Sequence, residues 1–214
     1  MSEVRKVIEF YNENNKEMPI WISETGYHTA EKNGISDEKQ ASNIIRTLIF
    51  GYANKKSTVI ENKFDPISIE RIYLYTFQNE ATYNIDGETN FGMVGAFDDT
   101  VRKPFTRDVS MYAKATYVAV NMFNYLLNDA KLIETYEQDS INNKPYYWYK
   151  FKNDDNSNIM ILWNNNEVLE EVILEEVSGD VTVYDMYGNL IKSVNNNGNL
   201  ILNIGYNPVY VVTK

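Results

Sequence analysis

Few residues in this 214-residue chain can do chemistry, and one of them ends a distinctive run, Pro19-Ile20-Trp21-Ile22-Ser23-Glu24-Thr25-Gly26. Apolar, β-branched and aromatic side chains lead straight into the Glu24 carboxylate, and a glycine then turns the backbone. The run reads as a buried strand that delivers Glu24 at its C-terminal end, where α/β sheets place reactive groups. The chemistry on offer is therefore that of a carboxylate. On spacing alone, a solvated charge at a strand end or a helix N-cap fits Glu24 equally well.

Other chemistries fall away on composition. The chain has no Cys, which excludes disulfides and thiolate metal sites. Its single histidine, His28, leaves no His-based ligand set and no Ser-His-Asp arrangement unless that one residue serves, so neither metal nor cofactor is expected. A net charge of −10 argues against nucleic acid and against anionic membrane surfaces, since both call for clustered Lys and Arg. No apolar run approaches membrane-spanning length, and the first residues lack the apolar core of a secretory signal. A neutral partner such as a glycan is indifferent to that charge.

The elements that must position Glu24 follow from periodicity. Val4, Val7, Ile8 and Tyr11 share one face of a helix expected over 2–14, with Ser2 as its cap. A second helix is expected from Ser36 to Asn54. Ser36 caps it, Asp37 and Glu38 suit its positive end, and Ala41, Ile44, Ile45, Leu48, Ile49 and Tyr52 form its apolar stripe. Ile69 to Phe77 reads as the next strand, completing a right-handed parallel βαβ unit. An irregular loop from Gln78 to about Lys103 follows; a loop of this length is usually functional or disordered, and its place after a strand end beside Glu24 favours functional. A third helix is expected over about 106–128, with Val109, Tyr112, Ala113, Thr116, Ala119, Val120, Phe123 and Leu127 on one face. Beyond about residue 130 the pattern changes to seven short alternating runs between Tyr146 and Val212, separated by turns such as Asp154-Asp155-Asn156 and Asn197-Gly198. These read as an antiparallel β-sandwich. The expected class is thus α/β plus all-β, with an α/β piece over 1–130 and a sandwich over 131–214.

The Pro19 to Gly26 run resembles the seventh barrel strand of the clan-A retaining glycoside hydrolases, enzymes built on a TIM barrel. Their later landmarks have counterparts in Ile72-Tyr73-Leu74-Tyr75-Thr76-Phe77, in Phe91-Gly92-Met93-Val94 and in Lys103-Pro104. The β-xylosidase-like families also append a sandwich with a strand ending near Leu-Trp and a Tyr-Asp-x-x-Gly-Asn turn, matched here by Leu162-Trp163 and Tyr184 to Asn189. The resemblance implies the last β/α repeats of an incomplete barrel, with Glu24 as the catalytic nucleophile and Tyr27, His28, Tyr75, Phe77 and Asn79 around the sugar. Trp148 and Trp163 are expected in the sandwich core rather than on a sugar platform.

Retaining hydrolysis needs a second carboxyl group roughly 5 Å from the first. In this clan it belongs to an Asn-Glu pair on the fourth strand, and strands one to six have no counterpart before Glu24; of the three Asn-Glu pairs here, Asn12-Glu13 is expected in a helix and Asn166-Glu167 in a hairpin. Asn79-Glu80 ends the neighbouring strand on the same rim, but on the wrong strand for the family's acid. Two strands cannot close a barrel, so self-association or a missing N-terminal half is expected. The competing reading is a non-catalytic carbohydrate-binding or interaction module of hydrolase ancestry.

Overall fold

A computed structural model describes residues 10, 19–55, 59–60, 68–80, 87–96, 111–136, 146–195 and 198–214. The helix expected over 2–14 lies outside these residues apart from Phe10, which is helical, and so do Lys103, Pro104 and Val109.

Strand β1 (Ile20–Thr25) pairs in parallel with β2 (Ile69–Leu74), in the register Ile20 with Ile69, Ile22 with Ile72 and Thr25 with Leu74. Helix α1 (Asp37–Ala53) makes the crossover, and it starts as its sequence dictates: the Ser36 hydroxyl accepts from Lys39 N at 3.1 Å. Ile20, Ile22, Ile69 and Ile72 pack with Phe50 of α1. The helix sits close on the sheet because residue 51 is glycine; a Cβ there would overlap the Ile72 side chain. The expected βαβ unit is present.

Strand β1 is not the buried strand expected from its sequence. Trp21, Ser23 and Glu24 are exposed, Trp21 by 58%. Among the described residues only the α1 side of this two-stranded sheet is covered, so the other face shows its side chains to solvent.

The third helix is also shorter than expected. Helix α2 spans Ala115–Leu127, and Met111–Ala113 is instead strand β4, antiparallel to β3 (Val94–Ala96). Tyr112 lies opposite Gly95, where a Cβ would collide with its ring, so the aromatic covers a bare stretch of backbone. Lys114, extended at φ −78° and ψ 167°, ends the strand and starts the helix.

Eight further strands follow among the described residues: β5 (Lys131–Tyr136), β6 (Tyr146–Lys152), β7 (Asn158–Asn164), β8 (Glu170–Val177), β9 (Asp180–Asp185), β10 (Leu190–Asn195), β11 (Gly198–Ile204) and β12 (Val209–Thr213). Seven match the expected runs, and β5 is additional. Six form one antiparallel sheet in the order β10-β9-β12-β7-β6-β5, while β11 and β8 pair separately.

Strict alternation gives the large sheet two buried faces. Ile159, Ile161, Trp163, Phe151 and Tyr210 join Ile45, Ile49, Phe123 and Leu127 of the helices. Leu162, Val183 and Val211 point the other way, against Val172, Leu200 and Leu202 of the β8–β11 pair. Helices, large sheet and small sheet form three layers, and the larger core draws side chains from both sides of residue 130.

One group in that core is badly placed. Tyr210 is fully buried and its hydroxyl has no hydrogen-bond partner among the described residues. An orphaned polar group costs on the order of 1–3 kcal/mol, so Tyr210→Phe is expected to raise stability by about 1 kcal/mol. Burial also holds the phenol's pKa well above its ordinary value. Above pH 10 the unfolded chain therefore gives up this proton while the folded chain keeps it, and stability falls as pH rises. Urea titrations should show Tyr210→Phe more stable at neutral pH and less alkali-sensitive. Equal or lower stability at neutral pH would contradict this account of the site.

Candidate active site at the end of the parallel strands

Glu24 is exposed at the C-terminal end of β1. The backbone beyond β2 stays paired with it, since Tyr75 N donates to Thr25 O at 2.8 Å. Gly26 permits this approach: a Cβ there would overlap the Tyr75 carbonyl and press on the Phe91 ring. The segment beyond Tyr75 is tied in turn to the loop after residue 90, with Met93 N and Val94 N donating to Phe77 O and Asn79 N donating to Val94 O.

Phe91 is the hub of the rim. Its ring meets Tyr75 at 5.3 Å and His28 at 5.4 Å between centroids, both nearly edge-on. His28 also lies against Gly87, and its Nδ1 is buried with no hydrogen-bond partner among the described residues. Tyr75 faces three carboxylates: Glu80 raises its phenol pKa most, followed by burial, then Glu88 and Glu24. The phenol therefore remains a hydrogen-bond donor throughout the neutral range. Phe77 is 57% exposed, with its ring edge-on to Tyr117 at 6.4 Å.

Two of the expected subsite residues have structural employment. The Asn79 side chain is buried; Oδ1 accepts from Gly92 N at 2.8 Å and Nδ2 donates to Asn90 Oδ1 at 3.2 Å, so it braces the loop that carries Phe91. The Tyr27 carbonyl accepts from Gln40 Nε2 at 2.6 Å, and its phenol is within electrostatic reach of Arg46. Trp148 and Trp163 pack against the two cores, as expected.

Beneath the rim lies a buried polar frame that the sequence did not single out. Gln40, 1% exposed, also donates to Phe91 O at 3.2 Å and accepts from Thr116 Oγ1 at 2.8 Å, joining both rim loops to both helices. The Lys114 ammonium donates to Thr29 Oγ1 at 2.8 Å and pairs with Asp37 at 3.2 Å. Burial lowers its pKa against the pull of Asp37. Nothing at sequence level marks Gln40 or Lys114, since each is one polar residue among many on a helix or at its start.

On the open face of the sheet, Trp21 and the 45% exposed Tyr73 lie 6.2 Å apart, with the Arg71 guanidinium 5.2 Å from the Trp21 ring. Among the described residues no group of three or more His, Cys, Asp or Glu could hold a metal ion.

No family model and no curated protein sequence matches the chain. Solved structures do. A family 39 glycoside hydrolase from the gut symbiont Bacteroides cellulosilyticus aligns over 94% of this chain and 35% of its own, with a TM-score of 0.68 and 21% identity. The catalytic domain of GH30 xylanase C from Talaromyces cellulolyticus aligns over 94% and 42%, with a TM-score of 0.56 and 17% identity. The GH51 arabinofuranosidase from Xanthomonas axonopodis aligns over 94% and 42%, with a TM-score of 0.54 and 10% identity. The chain has the fold of a portion of the clan-A glycoside hydrolases: a parallel β-α unit followed by antiparallel sheets. At these identities the likeness is one of fold, and the chain spans 35 to 42% of the length of these three structures.

Proposed function

We propose that this chain is the C-terminal portion of a retaining O-glycoside hydrolase acting on a polysaccharide or oligosaccharide, with Glu24 as nucleophile. Residues 1–130 are then the last β/α repeats of a barrel, and residues 131–214 a sandwich that buttresses them. The observation that carries this reading is the exposed Glu24 carboxylate at the end of a parallel strand, within electrostatic reach of Tyr75, whose ring packs on Phe91, in a chain with the fold of such enzymes.

In the reaction, a Glu24 oxygen attacks the anomeric carbon as the glycosidic C–O bond breaks. The acid carboxyl gives its proton to the leaving oxygen, and water then hydrolyses the glycosyl-enzyme with the same residue acting as base. Tyr75 offers a phenol donor at the nucleophile's rim, and Phe77 and His28 offer ring surface to the sugar. Asn79 and Tyr27 act through the loops they hold.

The acid and the remaining strands come from a missing N-terminal half or from another copy of the chain, which covers the face bearing Trp21, Arg71 and Tyr73. A parallel sheet is normally buried on both sides, and this one is open on that face among the described residues.

Dinitrophenyl β-xyloside and β-glucoside test the reading, because so good a leaving group scarcely needs protonation. A burst of phenolate lost in Glu24→Gln supports the reading, and a burst that persists in Glu24→Gln contradicts it; no release is the result of a site left incomplete without its other half.

A further inference from the structure

Away from Glu24, the loops at one end of the large sheet and the first turn of α1 border an open concavity of about 430 Å³. That lies within the roughly 300–1,000 Å³ of small-molecule sites. None of its lining residues belongs to the Glu24 rim. We propose that this groove binds a neutral oligosaccharide independently of Glu24, an inference that goes beyond the hydrolase reading.

Hydrogen bonds brace part of the wall. The single Ser42 Oγ proton is shared between Tyr206 O at 3.1 Å and Asn207 Oδ1 at 2.9 Å, and the Arg46 guanidinium lies 3.8 Å from the Tyr206 ring. The Tyr206 hydroxyl is bonded to Asn43. Lys39 Nζ reaches across to Glu167 Oε1 at 3.0 Å. A site ordered in this way loses little entropy on binding.

Its chemistry is mixed in a way that suits hydroxyl groups, each of which both donates and accepts. Glu167 uses one oxygen on Lys39 and Glu38 one on Asn207; the second oxygen of each has no hydrogen bond among the described residues. The exposed Asn203 amide offers both a donor and an acceptor. Leu169, 66% exposed, and Ile191, 55% exposed, supply apolar surface for sugar C–H groups. An anionic ligand would meet Glu38, Glu167 and Asp185 against the single cation Lys39. A cationic one would leave the Asn203 and Lys39 donors unmatched.

Xylohexaose and cellohexaose are the probes. Titrated into the isotope-labelled chain, at least one is expected to shift the backbone amides of Glu167, Leu169, Ile191, Asn203 and Tyr206 saturably, with affinity on the order of millimolar. The double variant Ile191→Ser, Asn203→Ala changes only exposed side chains and should weaken binding about tenfold with the rest of the spectrum unmoved. Glu24→Gln should bind as wild type, so failure of the hydrolase reading leaves this result standing, and failure here leaves the phenolate burst standing. The proposal is overturned if neither saccharide shifts these amides, if shifts are confined to the Glu24 and Phe91 rim, or if a leucine-lysine peptide binds and both saccharides do not.

Discussion

Glu24→Gln is expected to reduce dinitrophenolate release from an activated β-glycoside by at least about 10³-fold, the scale on which loss of a covalent nucleophile acts. Folding should be untouched. Glu24 is exposed and takes no hydrogen bond or ion pair from the described residues, so its replacement by an uncharged isostere belongs with surface substitutions worth within about 0.5 kcal/mol. That separation makes the variant informative: activity falls while the urea midpoint stays. If release instead persists at the wild-type rate, the reacting group lies elsewhere. Glu80 is the alternative to examine first, because its charge dominates the surroundings of Tyr75 on the same rim.

The largest effect on stability is expected at Arg46. This α1 residue reaches the large sheet, where Nη2 donates to Asn164 O at 2.6 Å and to Tyr206 O at 2.5 Å, and Nη1 donates to Asn165 Oδ1 at 3.4 Å. The guanidinium is also 3.8 Å from the Tyr206 ring and 5.6 Å from that of Trp163. Burial pulls its pKa down to about 10, so it remains charged at neutral pH but has lost much of its hydration. Arg46→Ala strands two carbonyls and removes the stack. Part of the loss is returned because a charge no longer has to be buried, and the net cost is about 2–4 kcal/mol. For a chain of this size that corresponds to a fall in Tm of roughly 5–15 °C. Arg46→Lys keeps the charge but has no planar fork, and should recover less than half of the loss. A shift below about 1 kcal/mol in Arg46→Ala would mean that α1 is held to the sheet by apolar packing alone.

The parts of this architecture that were legible in the sequence are those specified locally. Ser36, Asp37 and Glu38 start α1 by capping and dipole chemistry, and alternation between turn residues marks β6 to β12. Glu24 stood out because an apolar run ends on it. Contacts set by distant residues were not legible. Tyr112 and Ala113 continue the apolar stripe of α2 at helical spacing, yet they pair with Val94 to Ala96, and nothing local announces that partner. The β1 sequence looks buried because its alternation is weak; the structure covers only its Ile20 and Ile22 side, leaving Trp21 out. The surroundings of Glu24 were legible in part. Tyr75 and His28 are readable as site residues and Phe91 as part of a landmark, whereas the role of Phe91 as the hub that joins them, and the clamp Gln40 beneath, emerge only once loops distant in sequence are folded together.

The most direct measurement is to incubate the chain with a 2-deoxy-2-fluoro dinitrophenyl β-glycoside and locate any covalent adduct by peptide mass spectrometry. The fluorine slows breakdown of a glycosyl-enzyme, while the activated phenolate still allows it to form. The account predicts one glycosyl group per chain, on the peptide containing Glu24 and absent from Glu24→Gln. An adduct on Glu80 or any other residue, or one that persists in Glu24→Gln, would contradict the assignment of Glu24 as the nucleophile.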